Sequence, residues 1–152
     1  MRLFLLAMTA LLTISVIAAE LPPIVDAARH QDTVMLKHLL NAGSDPDTQQ
    51  ADGATALHWA VYHENIDAVA SLIEADSNVD AVNRLGASPL YLAAKNGSAN
   101  LIELLLEAGA NPNAAMPMGE TPIMTAARSG TAQGVQLLVE AGADVNIAEQ
   151  SR

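Results

Sequence analysis

The chain has no cysteine, few aromatic residues and few positive charges, and each shortage removes a class of function. Without cysteine there are no disulfide staples, no thiol nucleophile and no thiolate metal ligand. Aromatic residues make up 3% of a chain that is 51% hydrophobic, so its core must be built from Ala, Leu, Val and Ile. Small and aliphatic side chains of that kind suit thin helices packed closely together. Lys and Arg number 7 against 17 Asp and Glu, a balance that argues against nucleic acid or an anionic membrane surface as partner. There is no G-x-S-x-G, no phosphate-binding loop, and no carboxylate pair placed for acid–base work. No cofactor, no metal and no enzymatic activity are expected.

What is present begins with an apolar run. Arg2 is followed by Leu3 to Ala18, interrupted only by Thr9, Thr13 and Ser15, and then by Ala19-Glu20-Leu21-Pro22-Pro23. The run is shorter than the roughly 20 residues a membrane span needs, and its small-residue exit matches a signal peptide. Residues 1–19 are expected to be that signal, and the chain to be exported to the periplasm or outside the cell. Removing them leaves six bases against 17 acids, a net charge of −11. An exported domain without disulfides leans towards a bacterial envelope.

After the signal the chain repeats every 33 residues. Gly53, Gly86 and Gly119 keep that interval, as do Gly109 and Gly142. So do the pairs Ala27-Ala28, Ala60-Val61, Ala93-Ala94 and Ala126-Ala127, and Leu39-Leu40, Leu72-Ile73, Leu105-Leu106 and Leu138-Val139. A fixed period of this size means stacked supersecondary units that bury their apolar faces against their neighbours. Within one unit, Ser88 reads as an N-cap and Pro89 as the first helical residue. Leu90, Ala93 and Ala94 continue that helix and Gly97 ends it. A second helix near 99–108 places Ile102, Leu105 and Leu106 on one stripe, and Gly109 follows as its left-handed cap.

Two stretches carry a closer likeness: Gly53-Ala54-Thr55-Ala56-Leu57-His58-Trp59-Ala60 and Leu105-Leu106-Glu107-Ala108-Gly109-Ala110-Asn111-Pro112-Asn113. They resemble the ankyrin repeat family, whose motif is close to G-x-T-P-L-H-x-A-A and, later, L-L-x-x-G-A-x-x-N. The resemblance implies an all-α solenoid of stacked helix-turn-helix units joined by hairpin-like turns. About four repeats are expected in a domain over 20–152, near 20–50, 51–83, 84–116 and 117–149. The first is partial, with Pro22-Pro23-Ile24-Val25 in place of the motif, and reads as an N-terminal cap. Asp76 stands where other copies have glycine, and it must adopt a left-handed backbone at some cost. Gly134, inside a second helix, is expected to cost about 1 kcal/mol relative to alanine. With no polar capping helix after the fourth copy, its apolar face is expected to meet further repeats, a partner, or another copy of the chain.

In the family, partners usually bind a concave surface lined by the first helices and the turns. Carried over position by position, that surface holds Arg29, His30, Tyr62, His63, Lys95, Asn96, Arg128 and Ser129 after the alanine pairs. The turns add Asp52, Arg84, Leu85, Met118 and Glu120. Four of the six mature bases fall in this set, against two of the 17 acids. A basic groove on an acidic body is therefore expected, with Tyr62, Leu85 and Met118 as anchors and a partner whose surface is acidic. A longer exported enzyme or effector, with this chain as its binding portion, is the alternative.

Three further signals are read as structural. His63-Glu64-Asn65-Ile66-Asp67 imitates half a zinc-protease helix, but Glu64 takes the turn position between two helices and breaks the required single face. His58, three residues after Thr55, suits hydrogen bonding around the helix start. His30 and His63 lack a third ligand for a metal. Asn96-Gly97-Ser98 is a glycosylation sequon, and a glycan there would occupy the groove.

Overall fold

The computed structural model describes residues 21–146. The export signal expected over 1–19 lies outside the described residues, as does the stretch after Asn146 that bears on how the fourth unit is closed. Eight helices follow in order among the described residues: α1 (Pro23–Arg29), α2 (Thr33–Asn41), α3 (Ala56–Tyr62), α4 (Ile66–Glu74), α5 (Pro89–Asn96), α6 (Ala99–Glu107), α7 (Pro122–Ser129) and α8 (Ala132–Glu140). Every first helix begins 33 residues after the last, and so does every second helix. No strand occurs among the described residues, and none of their helices is long and apolar enough to cross a membrane.

Local chemistry explains where each helix starts and stops. Proline occupies the opening turn of α1, α5 and α7, where its missing N–H has no helical partner to lose. Ser88 caps α5 by accepting from the Tyr91 amide, and Asp32, Asn65 and Thr131 cap the second helices α2, α4 and α8 in the same way. Between the helices of each pair stands a left-handed residue: Gln31, Glu64, Gly97 and Gly130. Glu64 has φ 55°, so His63 caps the end of α3 while Asp67 lies in α4, and the two share no helix face. Asp76 has φ 58°, the left-handed conformation that its glycine counterparts imply.

The core is a line of aliphatic side chains running through the stack. Leu36, Leu57, Leu72, Leu90, Leu101, Ile102, Leu105 and Leu138 are fully buried, with Val25, Val61 and Val69 between them. First helices pack in an unbroken row, α1 on α3, α3 on α5 and α5 on α7. Second helices meet less extensively. Gly134 departs from expectation. A Cβ there would stand 2.7 Å from both Ile102 Cδ1 and Thr131 Cγ2, so the missing side chain makes room for a neighbour and is not simply a weak point of the helix.

A second seam of polar bonds keeps the units in register. The amides of Asn78, Asn111 and Asp144 each donate to a side-chain oxygen one unit earlier, on Asp47 (2.7 Å), Asp80 (2.9 Å) and Asn113 (2.7 Å). At the turns, the Arg84 amide donates to the Asp52 carbonyl at 2.8 Å. His58 forms a third joint. Its Nδ1 faces the Thr55 amide (3.2 Å) and hydroxyl (2.9 Å), and its Nε2 reaches the Ala87 carbonyl (3.0 Å) in the next unit.

Candidate functional site

The first helices and the turn tips share one face of the stack. Because the period is 33, side chains on it form rows near the ends of the four first helices: Arg29, Tyr62, Lys95 and Arg128, each followed in the chain by His30, His63, Asn96 or Ser129. Arg29, Tyr62, Lys95 and Arg128 are all exposed, as are Asp52, Arg84, Leu85 and Met118 on the turns. Leu85 and Met118 are 74% and 68% exposed, high values for side chains whose burial would be favourable by about 2 kcal/mol each.

The face has two halves of different character. In the first, Trp59 lies with its ring edge-on to Tyr62 (5.7 Å between centroids) and stacked with His63 (5.9 Å). The guanidinium of Arg29, from the preceding unit, sits 5.4 Å from the centre of the Trp59 ring, within range of a cation–π attraction. Trp59 Nε1 donates to Gln50 Oε1 at 3.0 Å, which ties the indole to the turn before α3. His63 is half-buried under this cluster, with Nε2 shielded and unpartnered.

In the second half, Glu120 collects donors. It accepts from the Thr125 hydroxyl at 2.9 Å, from the Tyr91 hydroxyl at 3.4 Å, and from Arg128. With Lys95 and Ser129 these residues line a shallow cleft of about 210 Å³. Burial, with the Glu120 carboxylate adding to it, raises the Tyr91 pKa above the usual phenol value.

Side-chain pairing changes the expected charge picture. Glu120 lies against Arg128, so that guanidinium is met by a carboxylate within the face. His30 Nδ1 lies 3.2 Å from Asp26 Oδ1. The carboxylate of Asp52 accepts from the Ala54 amide at 2.9 Å, and that bond holds its pKa below the ordinary value. Among the described residues, Arg84 and Lys95 enter no ion pair. Asn96 and Ser129 are exposed, yet their polar atoms are engaged one unit back: Asn96 Nδ2 donates to the Val61 carbonyl (3.1 Å) and Ser129 Oγ to that of Ala94 (2.9 Å). They join units first, and offer a partner only what remains.

Trp59, Tyr91 and Thr125 were not among the residues expected on this face. A spacing rule finds all three: Trp59 stands three residues before Tyr62 and Thr125 three before Arg128, hence on the same side of the helix. Tyr91 stands four before Lys95. No group of three His, Asp or Glu side chains among the described residues is arranged to hold a metal. A family model of ankyrin repeats matches the chain in 3 copies, over residues 24–116 and 78–149. No curated protein matches it significantly.

Proposed function

The chain belongs to the ankyrin repeat family, and from that premise we propose that it binds a protein partner through the face built by α1, α3, α5 and α7. Ankyrin repeats are in general protein–protein interaction modules and typically non-enzymatic. The observation that carries the reading is the cluster of Arg29, Trp59 and Tyr62 on one exposed side of a chain with few aromatic residues. Trp, Tyr and Arg are the residue types that dominate binding energy at protein interfaces.

The partner we propose is a protein segment with carboxylates. Arg84 and Lys95 supply uncompensated charge, and Arg29 adds charge over an aromatic platform. Leu85 and Met118 on the turn tips add apolar contact. The apolar run before Glu20 supports export, and with export the encounter would take place outside the cytoplasm.

The test is to isolate a partner from envelope extract, identify it, and measure its affinity for surface variants of matched helicity. Tyr62→Ala is expected to weaken binding about 30-fold, the equivalent of a 2 kcal/mol hot spot. Arg29→Glu with Lys95→Glu is expected to weaken it further and to flatten its dependence on salt. Glu103→Lys, on the opposite helix row, leaves affinity unchanged. Equal affinities across the first-face variants would refute the reading.

A further inference from the structure

We propose that Arg29, held over the Trp59 ring, is the residue that reads the partner's carboxylates, taking one Asp or Glu side chain between its paired N–H groups. The inference rests on the binding face proposed above and names the group which that face recognises. Arg29 is exposed, sits 5.4 Å from the ring centre and enters no ion pair among the described residues. The neighbouring acids are engaged elsewhere: Asp26 lies against His30, and Asp32 caps α2. An arene against a guanidinium covers its face and leaves the in-plane donors turned outwards, a fork that matches the two oxygens of a carboxylate. The other bases of the face lack this arrangement. Lys95 carries a point charge that attracts an acid without orienting it, and Arg128 already bonds Glu120.

The ring that carries Arg29 is itself fixed. Trp59 Nε1 donates to Gln50 Oε1 at 3.0 Å. Gln50 is pinned in its turn at both backbone groups, its amide donating to the Ala54 carbonyl and its carbonyl accepting from the Gly53 amide, each at 2.9 Å. His63 stacks on the indole at 5.9 Å. Gln50 and His63 are therefore positioning residues, and Trp59 is the platform they hold. A side chain seated in this way has less freedom left to lose when it bonds a partner. The arrangement belongs to one joint of the stack. In the next units the same two positions are Tyr62 with Leu92 and Lys95 with Thr125, neither of which sets a guanidinium against a ring. Tyr62, edge-on to Trp59 and 59% exposed, stands beside the fork to meet the apolar stem of the bound acid.

The test needs no natural partner. A tetraglutamate peptide blocked at both ends is titrated into the full chain, with the blocked tetraglutamine peptide as control. Binding is followed by NMR and by the fluorescence of Trp59, the chain's single tryptophan. The Arg29 Nε–H and Trp59 Nε1–H resonances are expected to move with the glutamate peptide and to stay in place with glutamine. Arg29→Lys keeps the charge and loses the fork, and is expected to weaken the peptide about tenfold with its salt dependence unchanged. Gln50→Ala releases the indole and is expected to weaken it about threefold. In that variant the ring-current shift of the Arg29 side-chain protons shrinks while helicity is retained. Equal affinity in the native chain and Arg29→Lys overturns the proposal. So does a glutamate peptide that leaves the Arg29 resonance unmoved, or a preference for inorganic phosphate over the peptide. A partner captured from envelope extract that depends on Tyr62 and is indifferent to Arg29→Lys sinks this inference alone and leaves the binding face standing.

Discussion

Gly134 occupies a helical position where a side chain would have to share space with two others. The equivalent positions in α4 and α6 are Ala68 and Leu101, both buried. The difference lies in the cap: Thr131 brings a methyl where Asn65 and Ser98 have none, and Ile102 reaches across from α6. Helix propensity alone favours Gly134→Ala by about 1 kcal/mol, whereas overpacking costs about 1–3 kcal/mol. A lower thermal midpoint is expected for Gly134→Ala, and adding Thr131→Ser is expected to recover part of it. A single Gly134→Ala variant that melts higher would reverse this account. Sequence alone read this glycine as a defect, because the obstructing atoms belong to another unit and to a rotamer. Asp76 and Glu64, by contrast, were legible as left-handed residues, since their position between or after helices is a local matter.

At the level of elements, helix starts follow from caps and prolines that act within four residues, and the sequence period located every pair. The turns carry contacts that the period hides. Gly86 has φ 81°, and a Cβ there would lie 2.5 Å from Pro117 Cδ in the next turn; around Gly109 (φ 91°) the space is open. Alanine at Gly109 is therefore expected to cost about 1–2 kcal/mol from the backbone alone. Alanine at Gly86 is expected to add about 1–3 kcal/mol, because the proline ring cannot rotate aside. Urea midpoints of the two variants measure the gap, and equal midpoints would show that the turns do not press on each other. The same blindness applied to His58. Its bond to Thr55 was visible as a three-residue spacing, but the Ala87 carbonyl, 29 residues away, was not.

Taken as one body, the molecule is less uniform along its first-helix side than its composition suggests. The rows of basic residues were legible from the period. Their engagement was not, because the pairing of Arg128 with Glu120 and the seat of Arg29 over Trp59 depend on where long side chains settle. The bonds made by Asp47, Asp80 and Asn113 have a further consequence, since each takes the same atom from the next unit at nearly the same length. Interchangeable couplings permit a carriage to be taken out of the train. Excising residues 78–110 brings the amide of Asn111 to Asp47 and sets α7 beside α3, where Ser129 faces the carbonyl of Val61. The shortened chain is expected to keep its helicity per residue and to melt cooperatively at a lower temperature, as circular dichroism would record. A molten product would mean that the links are individually fitted and the units not interchangeable.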